Sequence, residues 1–375
     1  MLSPLQISDP TKGVKNERES LLLRIKGLNI TIPDLKPIFH DWTGISSLKI
    51  SPWLDLLREK VQDRLEILGH DQSKLQRLEA ADFALFTALW WPNAPSLAHL
   101  EVLAYLVIWL FTWDDEIDEP TGLYTDDAAS AQNYRVHTLA FVGACLGLPG
   151  FSPSFKPHSR TVQSFDVIGL ALAANYDESQ RQRFFDEIAR FMIASEEEQT
   201  CRLQGRVFTL EEYWPVRLGT SAVYIGSAAG EFSMGSSSPL PSDLMQCAAM
   251  RALWDETNII ISITNDLLSL RKEMRFDCID SIVPLTFAST CDIHMALDLS
   301  IKALRASKTR FDEAAKTLLK EACYGKKSEE VTKQLEQFIE VQRSNCVGNL
   351  VWSLRTRRYN ETDLLVEDGS QTFTL

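Results

Sequence analysis

The sequence predicts an all-α protein organised as one large helical domain. Three observations carry that reading. Apolar residues recur at three- and four-residue spacing through one segment after another. Strand-like alternation bounded by hairpin turns is nowhere evident. Neither an internal repeat nor a glycine-rich phosphate loop after a strand divides the 375 residues. Composition is that of a globular chain, 45% apolar and 24% charged. The formal net charge of −13 argues against nucleic acid as a partner, because that affinity rests on clustered Lys and Arg. Seven scattered cysteines without a C-x-x-C pair favour reduced thiols over a disulfide framework or a zinc site. The N-terminus lacks the apolar core of a secretory signal, so the expected compartment is the cytosol, without stable membrane insertion.

Residues 1–18 read as a polar tail, 19–360 as the helical domain and 361–375 as a flexible acidic tail. Leu21 to Pro37 mixes apolar residues with Pro33 and Pro37 and reads as an extended arm with little part in function. Trp53 to Leu68 has the amphipathic helical period. Ser73 to Trp90 reads as a second helix, aromatic at its end and stopped by Pro92. Leu97 to Asp118 contains the most apolar stretch, Ala104 to Trp113, and is closed by Pro120 and Gly122. That stretch is short of the ~18 residues a membrane span needs, so it reads as a buried helix. Asp126 to Leu146 starts on an acidic cap and gives way to a Gly/Pro/Ser loop over 147–157. Gln163 to Asn175 and Glu178 to Arg202 follow, and the Glu196 to Glu198 run reads as a solvated face. Thr209 to Glu231 begins like a capped helix, Thr209 with Glu212, but carries Pro215, Gly219, Gly226 and Gly230 and must be kinked or broken. Ser242 to Glu273, Met295 to Tyr324 and Ser328 to Arg358 complete the set.

Two clusters carry chemistry. In Trp113-Asp114-Asp115-Glu116-Ile117-Asp118, four carboxylates crowd the end of the buried helix. Such charge is tolerated where a cation or water offsets it. Asp114 and Asp118 share one helix face, and hard divalent cations such as Mg²⁺ take carboxylate oxygens. On this stretch alone, an acidic helix end facing solvent accounts for the pattern equally well. The second cluster is Asn265, Ser269 and Glu273, spaced four and four, which sets an amide oxygen, a hydroxyl and a carboxylate on one stripe. Asn is a poor interior helix residue, so its place there needs a reason.

Together these residues resemble class I terpene cyclases, in particular the fungal ones. Asp114 to Asp118 is similar to their D-D-x-x-D motif, Asn265/Ser269/Glu273 to their NSE triad, and Arg358-Tyr359 to their terminal arginine-tyrosine pair. The resemblance spans about Asp82 to Tyr359. It implies a single class I terpenoid synthase α-helical barrel in which Asp114, Asp118, Asn265, Ser269 and Glu273 hold a cluster of Mg²⁺ ions, three in number, that grip a prenyl diphosphate. By the same resemblance Lys272 contacts the diphosphate, Arg358 and Tyr359 cap it, and Arg217 in the broken helix senses it. Thr220 stands where the family often has an acidic linker residue, with Ser221 at the helix break.

Without the clusters, Arg358 reads as a complement to a helix dipole and Lys272 as the partner of a surface acid. Phe111, three before Asp114, and Trp352, two turns before Tyr359, are expected to line the cavity below the metal site and to steady carbocations by cation–π attraction. The implied reaction is ionisation of farnesyl diphosphate and closure of the cation to a cyclic sesquiterpene, by a monomer or homodimer. The alternatives are a diterpene cyclase acting on geranylgeranyl diphosphate, a chain-elongating prenyl synthase, and a non-catalytic helical scaffold.

Overall fold

The computed structural model describes residues 16–42, 49–68, 71–236, 238–325, 327–359 and 369–375. Helices dominate it, as the apolar period demands. Leu97–Asp118, Glu178–Leu203, Ala248–Arg275, Ile293–Tyr324 and Glu329–Arg355 are the long ones. Side-chain caps fix their starts: Ser96 accepts from the His99 amide, Asp177 forms a capping box with Gln180, and Ser328 accepts from the Val331 amide.

By length and composition, Leu97–Asp118 is the one helix among the described residues able to cross a bilayer. Its apolar side chains are spent inside the protein instead. Leu100, Leu103, Ile108, Trp109 and Trp113 are at most 1% exposed, and full burial of such side chains stabilises by about 1.5–3 kcal/mol each. The helix packs between Leu54–Leu68 and Phe83–Trp90, while Ala248–Arg275 packs along Ile293–Tyr324 and Glu329–Arg355. Their inward ends leave a cavity between them.

Several expectations are corrected. Ser73 to Trp90 is two helices, Gln72–Ala80 and Phe83–Trp90, because Asp82 takes a left-handed φ of 50° and caps the second by accepting from the Leu85 amide. The Ala81 carbonyl freed by this break accepts from Trp352 Nε1 at 2.7 Å and Thr356 Oγ1 at 3.0 Å. Ile282–Thr290 is a helix that the sequence reading lacked; its Pro284 sits in the first turn, where a missing N–H is tolerated. The arm over Leu21 to Pro37 begins inside the helix Glu17–Ile25, which also takes up the end of the expected 1–18 tail. Nor are the last residues a loose tail. Strand β1 (Asn29–Ile32) pairs antiparallel with β2 (Gln371–Thr374), Ile30 opposite Phe373, so the two ends of the chain are tied together. Residues 1–15 and 360–368 of the expected tails lie outside the described residues.

Candidate active site

The two clusters, about 150 residues apart in sequence, open on one cavity of about 270 Å³. Asp114, Asp115 and Asp118 line it from one helix; Asn265, Ser269, Lys272 and Glu273 line it from the facing one. Arg217, Arg358, Tyr359, Phe111 and Trp352 line it as well, so every residue singled out from the sequence is brought together.

The Ala248–Arg275 wall is tightly bonded. Ser269 Oγ donates to Glu273 Oε1 at 2.5 Å and lies 2.7 Å from the Asn265 carbonyl. Asn265 Nδ2 donates to the Tyr359 hydroxyl at 2.8 Å, and its Oδ1 accepts from Arg217 Nη2 at 2.8 Å. Arg217 is anchored in turn on buried Asp266, with Nε at 3.0 Å and Nη2 at 2.7 Å. Asp266 also accepts from the Tyr213 hydroxyl and from the Ile282 amide at 2.7 Å.

Arg217 comes from the interrupted segment, which the structure resolves into Leu210–Thr220, Val223–Ala228 and Gly230–Met234. The break falls at Ala222, whose left-handed φ of 57° costs about 1–2 kcal/mol in a residue with a Cβ. Asn258 spans it, accepting from Ser221 Oγ at 2.7 Å and donating to the Leu218 carbonyl at 2.8 Å. Gly219 lets this segment approach Glu178–Leu203, since a Cβ there would lie 2.2 Å from that of Ala194.

On the aspartate wall the acids divide their work. Glu116 is buried and structural, accepting from Lys74 Nζ at 2.6 Å and the Leu123 amide at 3.2 Å. Asp115 holds Arg358 Nη2 at 2.9 Å, and Glu119 holds Lys272 Nζ at 2.9 Å, so both mouth cations are already stationed between the walls. Asp114 and Asp118 remain directed into the cavity. Burial, then Asp118 and Asp115, drives the Asp114 carboxyl well above its usual range. Asp118 is open to solvent at the mouth yet crowded by protein; burial raises it to about 6 against the pull of Arg202. Glu273 is pushed to about 7 by burial and Asp266.

This donor set fits a hard divalent cation. Glu273 Oε2 is buried with no hydrogen-bond partner, and the raised carboxyls are a site whose negative charge lacks compensation. No three His, Cys, Asp or Glu side chains among the described residues close into a finished cage. The Asn265 and Ser269 side-chain oxygens line the same cavity beside Glu273.

Besides Asp266, the sequence reading missed two contributors. Glu198, read as part of a solvated face, lines the cavity, and burial together with Asp118 raises it to about 8. The three acids of 196–198 look alike in sequence, and it is the last one that faces the cavity. Asp280 also lines the cavity, held by Arg18 of the supposedly idle N-terminal segment through bonds of 2.7 and 2.6 Å.

Raised carboxyls carry a pH signature. Unfolded carboxyls titrate near 4, so Glu273 and Glu198 favour the fold while protonated and lose that contribution as pH climbs from there through about 7 and 8. Acids with lowered values, such as Asp127 and Asp243, titrate below this window and do not offset the trend. The metal-free protein is expected to melt about 5 °C lower at pH 8.5 than at pH 5.5, with added Mg²⁺ recovering more at the higher pH. A flat melting profile would contradict these shifts.

An aspartate-rich wall facing an Asn/Ser/Glu wall across an apolar, all-helical cavity is the arrangement of a class I terpene synthase. The profile of terpene synthase family 2, C-terminal metal binding, matches residues 105–310. The sesquiterpene cyclase hepA of Aspergillus oryzae is 33% identical over 362 residues, covering 94% of this chain and 95% of that protein. Terpene cyclase braA of Annulohypoxylon truncatum is 24% identical, covering 94% and 92%. Among solved structures, a-eudesmol synthase superposes with a TM-score of 0.72 at 19% identity, covering 82% of this chain and 96% of that one, a likeness of fold. The chain belongs to the terpene synthase family and is a class I terpene cyclase.

Proposed function

We propose that the protein is a Mg²⁺-dependent sesquiterpene cyclase that ionises farnesyl diphosphate, closes the allylic cation into a ring and releases diphosphate. The observation that carries this reading is the convergence of Asp114 and Asn265 on one cavity with Arg217, Lys272, Arg358 and Tyr359 around its mouth. The likeness to a sesquiterpene cyclase over nearly the whole chain supports the choice of chain length. In this reading the catalytic unit is one domain that includes the paired ends β1 and β2, and it works in the cytosol as a monomer or homodimer.

Asp114, Asp118, Asn265, Ser269 and Glu273 would hold the Mg²⁺ ions, three by family likeness, which supply Lewis-acid neutralisation of the charge on departing diphosphate. Arg217, Lys272 and Arg358 present N–H donors to the same oxygens, and Tyr359 adds its hydroxyl. Because Asp115 and Glu119 already station Arg358 and Lys272, little reorganisation precedes ionisation. Below the mouth, the rings of Phe111, Phe86 and Trp352 stand 5.0–5.9 Å apart and offer faces to a passing cation. Trp352 is fixed by its bond to the Ala81 carbonyl, and the apolar wall excludes water that would quench the cation early.

Incubation with Mg²⁺ and allylic diphosphates of increasing length, followed by gas chromatography and mass spectrometry, tests the proposal. Cyclic hydrocarbon or alcohol from farnesyl diphosphate is expected. A lengthened diphosphate, or no product from any chain, would sink it. Phe111→Ala is expected to shift the product distribution, changing the major product's share by about twofold or more, while stability falls by less than the ~3–5 kcal/mol of a fully buried ring. The motive is position: Phe111 is half-buried, under Arg358 at 5.1 Å. An unchanged product profile returns Phe111 to plain packing.

A further inference from the structure

We propose that Trp90 is the floor of the cavity and sets the longest prenyl chain it accepts, an assignment that rests on the reading of the site as a farnesyl diphosphate cyclase. Phe83–Trp90 descends from the diphosphate end. Its first residue, Phe83, meets Phe111 at 5.2 Å, and Phe111 lies one turn below Asp114. Phe86 meets Trp352 at 5.0 Å, and Trp352 in turn meets the Tyr359 ring at 5.4 Å. Trp90 comes one turn deeper still and stacks on Phe86 at 4.5 Å and 24°. From Phe83 to Trp90 the descent is about 10 Å at helical rise.

The floor is held from both sides. Asn345 Nδ2 donates to the Trp90 carbonyl at 2.9 Å. Gly348 admits the end of the Phe83–Trp90 helix, since a Cβ there would lie 2.8 Å from the Leu89 carbonyl. A Cβ on Gly226 would lie 3.0 Å from the Trp90 ring, so that glycine leaves the indole no more room than it uses. The Trp90 indole N–H is buried without a partner. Shape, not a hydrogen bond, decides where the ring lies, and a ring packed on Phe86 and against the Gly226 backbone yields little to a longer ligand. Phe111 and Trp352, nearer the diphosphate, bear on the cation's path; Trp90 bears on the chain's far end.

The test compares wild type, Trp90→Leu, Trp90→Phe and Gly226→Ala with farnesyl and geranylgeranyl diphosphate in Mg²⁺, reading kcat/KM from released diphosphate and the products by mass spectrometry. Wild type should favour the farnesyl chain. Trp90→Leu should raise the geranylgeranyl-to-farnesyl ratio of kcat/KM by about tenfold or more, and Trp90→Phe should move it less in the same direction. Gly226→Ala, whose methyl presses the indole into the cavity, should lower the ratio. A folded Trp90→Leu protein with an unchanged ratio overturns the floor assignment and leaves the cyclase reading intact. If Trp90→Leu does not fold, unchanged ratios in the other two variants overturn it instead. A wild type that turns over both chains equally well also overturns it, and one that consumes neither removes the cyclase reading and the floor together.

Discussion

Asn265→Leu is expected to leave the helices standing and to lower kcat/KM on farnesyl diphosphate by about 10³. Leucine is close in size and a better helix former than asparagine, so Ala248–Arg275 has no local reason to unwind. What disappears is the half-buried amide at the centre of the site. Its oxygen accepts from Arg217 and keeps a second lone pair for a cation, while its nitrogen orients the Tyr359 hydroxyl. In the proposed reading, one substitution removes a metal ligand and loosens two diphosphate donors. Far-UV circular dichroism with thermal melting, set beside diphosphate release, separates fold from function. Asn265→Asp, which keeps an oxygen but loses the donor to Tyr359, should recover part of the activity. Near-normal turnover in the leucine variant would remove Asn265 from the metal-binding set.

The legible and illegible parts of this molecule differ in range. Leu97–Asp118 could be read end to end because Ser96, its apolar run and Pro120 are all local signals. The Asn265/Ser269/Glu273 stripe was legible for the same reason, since four-residue spacing on one helix determines a common face. Glu198 was not, because three like acids stand in a row and which of them faces the cavity is decided by the helices packed on Glu178–Leu203. Asp280 was not, because its partner Arg18 lies 262 residues away. Likewise β2 looked like a loose tail until its partner, at the opposite end of the chain, was in place. A four-residue strand carries too little periodicity to announce itself.

Asp266 makes the sharpest case of a residue that sequence spacing passed over, and its removal carries the second large effect. It follows Asn265 directly and so points about 100° away around the helix. There it meets the Leu210–Thr220 segment as the carboxylate bonded to Arg217, and it receives Tyr213 and the Ile282 amide as well. The acid side chain is 1% exposed and the arginine 16%. A buried pair this well bonded is not in itself strong evidence of stability, but breaking it from one side leaves a charge uncompensated. Asp266→Ala strands the Arg217 guanidinium, a phenol and an amide together. The expected cost is about 3–5 kcal/mol in urea or thermal unfolding, together with loss of turnover as Arg217 leaves its place beside Asn265. Arg217→Met added to Asp266→Ala should restore part of that stability and none of the activity, because the unpaired charge goes while the proposed diphosphate donor stays absent. Additive losses in that double variant, or an Asp266→Ala protein within about 0.5 kcal/mol of wild type, would mean that the ion pair does not hold the broken helix against the Ala248–Arg275 wall.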